Sequence, residues 1–297
     1  MLQTVAPNRA VLFILAGMAT LGLTDNFVAH VSADSSLWQF HLVRGSFVLL
    51  AMTVIAALGF GALRPRRPLA VLARSAIQAT SMLIYFGCLS ILPIGVVVAG
   101  LFTAPLFVAL IAAVFQGKRI GHIHLAAILM GFIGALMVIR PDPANIDLVA
   151  FLPIFAGLLY AIGAVATRAW CEGEATLSLS AGFFLVLTLM GAVGCLVLSS
   201  TAVGAEGFAL RGWMPLNASL TFWLAVQAVG ALIGILCLFR GYQLGEASHV
   251  AVFEYSLLVF ASAWAWYLWG QVVPPLGMFG MVLIILSGSV IALRRNP

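Results

Sequence analysis

Gln78-Ala-Thr-Ser-Met-Leu-Ile-Tyr-Phe-Gly-Cys-Leu89 decides the reading of this chain, because it is written again as Gln227-Ala-Val-Gly-Ala-Leu-Ile-Gly-Ile-Leu-Cys-Leu238. The two stretches agree at six positions: Gln, Ala, Leu, Ile, Cys and Leu. Matches among Ala, Leu and Ile are expected in any apolar chain, whereas a Gln and a Cys repeated at one spacing are not. The likeness extends outward: Gly117-Lys118 answers Gly270-Gln271, and Val138-Ile-Arg140 answers Ala292-Leu-Arg294. A copied apolar unit predicts two homologous halves, a common construction for a membrane carrier.

Of the 297 residues, 63% are hydrophobic and 8% charged, and the mean hydropathy is +1.16. That is too little polar surface to cover a water-soluble globule, so the chain reads as an integral membrane protein. Its formal charge of +5 does not point to nucleic acid, since the basic residues occupy short gaps between apolar runs. Membrane lipid is the expected partner for them. Cys88, Cys195 and Cys237 lie in apolar runs and Cys171 beside a charged gap. None has metal-ligand spacing, and they read as small buried residues without disulfides or metal. The run from Ala10 to Val31 is too long for a signal-peptide core and reads as a retained first span.

Ten runs are long enough to cross a bilayer: Ala10 to Val31, Leu37 to Gly61, Val71 to Leu89, Ile94 to Phe115, Ile123 to Ile139, Leu148 to Trp170, Leu177 to Ser200, Leu220 to Phe239, Ala247 to Trp269 and Leu276 to Leu293. About 20 residues at 1.5 Å each span the hydrocarbon. The fold class is therefore an all-α polytopic membrane protein. Two halves of five spans each, residues 1–143 and 144–297, must insert in opposite senses, because five is odd. Pro141, Asp142 and Pro143 mark the joint, where proline ends the helix and restricts the residue before it.

Eleven basic residues fall on one side: Arg9, Arg64, Arg66, Arg67, Arg74, Lys118, Arg119, Arg168, Arg240, Arg294 and Arg295. Only Arg140 and Arg211 fall on the other, with Arg44 inside a span. The positive side, which holds both chain ends, is the cytoplasmic one. The other side holds Asp34, Asp142, Asp147 and Glu206.

Ionisable groups within the hydrocarbon mark functional positions. Asp25 on the first span and Arg44 on the second, placed six and seven residues from the outer ends, have similar depth. Their pairing reads either as an outer gate or substrate-carboxylate anchor, or as a static bridge. Glu254 on the ninth span has no basic partner and is the candidate proton-coupling group, with a hydrogen bond to a neighbouring helix as the alternative. His249, five residues ahead of it, is a candidate gate. Gln78, Ser81 and Tyr85 share one face of the third span, and Trp223 and Gln227 share one face of the eighth with Gly230 and Gly234. An aromatic, an amide and small residues can stack a planar ligand and bond its polar end, or can simply glue helices. Tyr160 and Asn26 are the further candidates for this lining. His122 and His124 read as surface histidines. Trp38, Trp170, Trp213, Trp264, Trp266 and Trp269 read as interfacial anchors. Pro105 predicts a bend in the fourth span, and Gly131 with Gly134 and Gly191 with Gly194 predict close helix contacts.

No P-loop, His-Glu-x-x-His or Gly-x-Ser-x-Gly is present, so the chain does not read as an enzyme and implies no cofactor. Asp25-Asn-Phe-Val28, Arg44, Leu92-Pro-Ile-Gly95 through Thr103-Ala-Pro-Leu106, Gly117-Lys118, Gly131-x-x-Gly134, and Tyr242-Gln-Leu-Gly-Glu-Ala247 through Phe253-Glu-Tyr255 together resemble the EamA family of the drug/metabolite transporter superfamily. The resemblance implies ten helices in two inverted repeats, alternating access, and export of amino acids or related metabolites across a bacterial inner membrane. Within the family it leans to the aromatic amino-acid exporter branch. Lys118 and Gln271 stand where the family usually has Glu, and Tyr255-Ser256 follows Glu254 where it has Pro. The alternatives are a carrier for a flavin, a nucleoside derivative or a drug-like cation, and, in another class, a membrane-embedded lipid-modifying enzyme. A small-molecule substrate is the expected partner, with protons as a coupling ion.

Overall fold

The computed structural model describes residues 7–89, 91, 92, 94–115, 117, 120–141, 148–201 and 207–293. Lys118, Arg119, Asp142, Asp147, Glu206, Arg294 and Arg295, which carry part of the charge asymmetry, lie outside them, as does Pro143 of the joint. Among the described residues there are thirteen α-helices and no strand. They are α1 (Pro7–Asp25), α2 (Val28–Asp34), α3 (Leu37–Ala57), α4 (Pro68–Cys88), α5 (Ile94–Leu101), α6 (Ala104–Phe115), α7 (His122–Ile139), α8 (Leu152–Ala169), α9 (Thr176–Thr201), α10 (Ala218–Leu244), α11 (Ala247–Ala251), α12 (Ser256–Trp269) and α13 (Pro275–Leu293).

With α5 and α6 counted as one interrupted crossing, and α11 and α12 as another, the described residues form a bundle of nine to ten membrane-spanning crossings. Nine crossings are long and apolar enough by length and hydropathy among the described residues. The tenth is α1, whose 19 residues begin and end in polar positions. Burial follows the rule for a bundle in lipid: Leu50, Leu58, Phe60, Leu196 and Ile285 are exposed, while Arg44, Arg74, Gln78, Gln227 and Glu254 are buried. Water-soluble proteins show the opposite arrangement.

The first predicted span is shorter than its apolar run. Asn26 turns its Nδ2 back to the Gly22 carbonyl at 2.7 Å, α1 stops at Asp25, and the chain turns before the short α2. Asp25 is thus the last residue of its helix rather than six residues inside it. At the end of α7, Pro141 blocks continuation and Arg140 takes a left-handed backbone, φ 53°.

The crossings pack in definite pairs: α1 along α10 and α12, α4 along α8 and α9, α3 along α9 and α10, α7 along α13, and α8 against α5 and α6. Loops show which ends share a face. The Glu174 carboxylate accepts the backbone N–H groups of Arg66 at 3.0 Å and Arg67 at 2.5 Å. Those contacts join the α3–α4 and α8–α9 loops on the face from which α1 starts. On the opposite face, the Gln39 amide exchanges hydrogen bonds with Met214, donating to its carbonyl at 2.8 Å and accepting from its N–H at 3.2 Å.

Close approach rests on glycine at the predicted positions. A Cβ on Gly134 of α7 would lie 2.6 Å from the Gly280 carbonyl of α13, and one on Gly280 would lie 2.5 Å from the Gly134 carbonyl. A Cβ on Gly191 of α9 would lie 2.7 Å from the backbone of Trp38 and Leu42 on α3. Gly134→Leu should therefore force α7 from α13 at a cost of about 1–3 kcal/mol, read as a lower Tm in detergent. An unchanged Tm would contradict this packing.

Candidate functional site

Both interrupted crossings are broken at mid-depth, for different local reasons. Pro105 has no N–H to give to the Leu101 carbonyl, so α5 ends there and α6 begins at Ala104. Thr103 partly compensates, its hydroxyl donating to the Gly100 carbonyl at 2.6 Å. A Cβ on Gly157 of α8 would lie 2.8 to 3.1 Å from Thr103 Oγ1 and the Gly100 and Leu101 carbonyls, so only glycine lets α8 lie over this opened backbone. In the other crossing a 3-10 turn, Val252–Tyr255, separates α11 from α12 and carries Glu254. Irregular backbone at this depth is tolerated where it is enclosed by protein or faces a cavity.

It does face a cavity, of about 310 Å³, between α1, α3, α4, α5, α6, α8, α9, α10 and α12. The walls are apolar and aromatic, with Tyr85, Phe86, Phe102, Tyr160, Phe183 and Phe184 among them. Its polar residues are few: Thr24, Asp25, Arg44, Gln227 and Glu254, with Tyr85 and Tyr160. Such a balance suits an apolar ligand oriented by a handful of polar contacts.

Glu254 is 9% exposed, and each of its carboxylate oxygens takes a hydroxyl. Tyr160 donates to one at 2.7 Å and Tyr242 donates to the other in a short hydrogen bond. The alternative of a hydrogen bond to a neighbouring helix is therefore realised twice, from α8 and α10. Two neutral donors satisfy the carboxyl while adding no charge to the bundle, and a proton could be held there without a cationic partner.

Asp25 and Arg44 line the same cavity, yet they do not close into a direct ion pair. The Arg44 guanidinium lies over the Phe40 ring at 4.1 Å and the Phe86 ring at 5.5 Å, and its Nη2 lies 3.4 Å from His41 Nδ1. Its Nε has no hydrogen-bond partner. Aromatic faces hold the cation by their quadrupoles, which leaves its donors available to something in the cavity. The static-bridge reading of the pair is corrected accordingly.

Of the lining predicted from helix faces, Tyr85, Tyr160 and Gln227 reach the cavity, Gln227 with its Nε2 bonded to the Thr24 carbonyl at 2.6 Å. Gln78, Ser81, Trp223 and Asn26 do not. Ser81 donates to the Ala156 carbonyl at 2.7 Å and Gln78 lies against Gly163, so this face of α4 is spent on α8 as helix glue. Trp223 lies one turn beyond Gln227, its indole stacked at 5.0 Å on Phe27 and 5.0 Å on His30, with Trp269 alongside. Asn26 ties the end of α1 to the Ala261 carbonyl at 3.2 Å. His249 stacks on His124 at 5.9 Å, away from the cavity, and His124 contacts the Ser248 carbonyl at 3.0 Å rather than standing free on the surface. Trp38 and Trp264 donate to the Ala209 and Ala19 carbonyls, so these two are pinned to neighbouring segments.

Sequence reasoning missed two residues. Tyr242 lies 12 residues before Glu254 and belongs to the long α10, beyond the span end assigned at Phe239; nothing in the linear pattern aims it at the carboxyl. Arg74, assigned to a basic gap, is fully buried within α4. Proline in the first turn was the available signal, since Pro68 starts the helix and puts Arg74 in its second turn.

The EamA-like transporter family matches residues 8–140. The riboflavin transporter of Rhizobium johnstonii is 28% identical over 304 residues, covering 98% of this chain and 94% of its own. The pseudopaline exporter CntI of Pseudomonas aeruginosa is 27% identical over 291 residues, 97% of each chain, and the riboflavin transporter of Brucella anthropi is 24% identical over 88% of this chain and 87% of its own. A crystal structure at 19% identity superposes with a TM-score of 0.75 over 98% of this chain and 100% of its own, a likeness of fold.

Removing one donor from the buried carboxyl should be costly. Tyr242→Phe is expected to lower Tm in detergent by an amount equivalent to about 1–3 kcal/mol, and Tyr160→Phe to do the same. Parent-like stability in both would mean that Glu254 does not depend on them.

Proposed function

We propose, from the match of residues 8–140 to the EamA-like transporter family, that this protein is a membrane transporter of that family carrying a planar, largely aromatic metabolite by alternating access. Residues 1–143 and 144–297 act as two oppositely inserted halves. The packing pairs support this division: exchanging each crossing of one half with its equivalent in the other converts α1 on α10 into α8 on α4, and returns α3 on α9 and α7 on α13 to themselves. Equivalent crossings are also the two that are interrupted, at Thr103 and at Glu254. The face bearing the chain ends is the cytoplasmic one, following the positive residues.

The observation that carries the substrate reading is the shape and chemistry of the cavity. Aromatic walls from Tyr85 to Phe184 accept a flat ring system, and Arg44 and Asp25 offer a donor and an acceptor that are not spent on each other. A flavin fits best: its fused rings would use a volume of about 310 Å³ that one aromatic amino acid would leave partly to water. The names of two relatives agree with that choice. An aromatic amino acid is the second reading, favoured by the separated charges, which could take an ammonium at Asp25 and a carboxylate at Arg44.

Proteoliposome flux separates the two. Under the flavin reading, riboflavin is transported and phenylalanine does not compete with it; under the second, the reverse holds. Transport of neither by the purified, folded protein would remove the carrier reading for this substrate class. Arg44→Gln is expected to raise half-saturation for the transported substrate about tenfold or more, as loss of a charge-assisted hydrogen bond does. Gln78→Ala, by contrast, should leave it within about twofold, because Gln78 faces α8 and not the cavity.

A further inference from the structure

Arg74 is 0% exposed, carries a charge, and among the described residues has no carboxylate in contact with it. Its Nε donates to Thr167 Oγ1 at 2.9 Å, its Nη1 to the Leu179 carbonyl at 3.4 Å, and its guanidinium lies 3.7 Å from the centre of the Phe239 ring. All these partners are neutral, and Nη2 has none. One turn along α4, Gln78 Oε1 is also buried without a partner. Leaving a buried cation uncompensated is expensive, and packing alone would be served better by an apolar side chain.

The position explains the expense. On four helices, Arg74 or a residue that holds it lies beyond the last cavity-lining residue toward the face bearing the chain ends. Arg74 is two turns below Met82 on α4, Thr167 two turns below Tyr160 on α8, Leu179 one turn below Phe183 on α9, and Phe239 directly follows Leu238 on α10. Arg74 therefore lies under the floor of the cavity, between it and the Glu174 clamp that closes the loops on that face. A route from the cavity to that face between these four helices would lead toward the guanidinium.

We infer that Arg74 is a second anion-binding residue of the transport path, unoccupied while the floor is closed and met by a carboxylate or phosphate on the cargo when the helices part toward the chain-end face. Arg44 serves the cavity from the opposite side, and Arg74 receives the same kind of group on the other leg of the cycle. The inference rests on the carrier reading above and adds to it a charge preference confined to one face. Thr167, Phe239 and the Leu179 carbonyl act as its neutral resting partners, which an arriving anion displaces without having to break an ion pair.

The test is sided flux in oriented proteoliposomes with two matched pairs, riboflavin 5′-phosphate against riboflavin and phenylalanine against phenylalanine amide, in the parent, Arg74→Gln and Arg74→Lys. The expected result is that Arg74→Gln raises half-saturation for the anionic member about tenfold from the chain-end face only, leaves the uncharged-end member within about twofold, and is largely rescued by Arg74→Lys. Equal losses for both members of a pair, or equal losses from both faces, would reduce Arg74 to a packing residue and overturn the inference while leaving the carrier reading intact. A parent protein that moves riboflavin or the amide but neither anionic probe from that face overturns it as well. Failure to move any of the four removes both readings together.

Discussion

A carboxyl group held at the middle of an apolar bundle by two tyrosine hydroxyls is the contact around which this protein is arranged. Hydrocarbon offers no water to Glu254, so its oxygens must be satisfied from within, and Tyr160 and Tyr242 reach it from different helices. That requirement draws α8 and α10 to the 3-10 turn of the interrupted crossing, and the space left where regular helix stops becomes the cavity. The cavity follows from the break, and the break is tolerated because its polar atoms find partners.

The same rule acts on the other interrupted crossing by a different route. Pro105 removes a donor, Thr103 supplies one to a neighbouring carbonyl, and Gly157 admits α8 close enough to cover the exposed backbone. Glycine thus does here what tyrosine does across the bundle, bringing a helix to a place where backbone would otherwise face lipid. Helix pairs that need only adhesion, such as α7 with α13, use glycine against glycine, with one buried hydroxyl, that of Ser287, donating to the Ala127 carbonyl at 2.6 Å.

Cations in the bundle are treated differently from the carboxyl. Arg44 rests on aromatic rings and a histidine nitrogen, Arg74 on an aromatic ring and neutral oxygens, and among the described residues neither closes an ion pair with a carboxylate. A ring face stabilises a guanidinium over a broad area and leaves several N–H groups free. A carboxylate partner would have satisfied them more completely and left less to offer a passing ligand.

Order of residues alone determined that this chain lives in a membrane, that it crosses about ten times as helices, and that the fourth crossing bends near Pro105, because hydropathy, length and proline's missing N–H are properties of short stretches. It also singled out Asp25, Arg44 and Glu254, since a charge inside an apolar run is visible in one dimension. Which polar side chain faces the cavity and which faces a helix was decided only by the tertiary structure. Gln78 and Gln227 stand at matching places in the repeated stretch, yet the first lies against Gly163 and the second opens on the cavity, a difference set by what packs opposite. Tyr242, Arg74 and the second ring of the Arg44 seat, Phe86, were hidden for the same reason: their roles depend on partners in other helices or segments, brought near only when the helices close on one another.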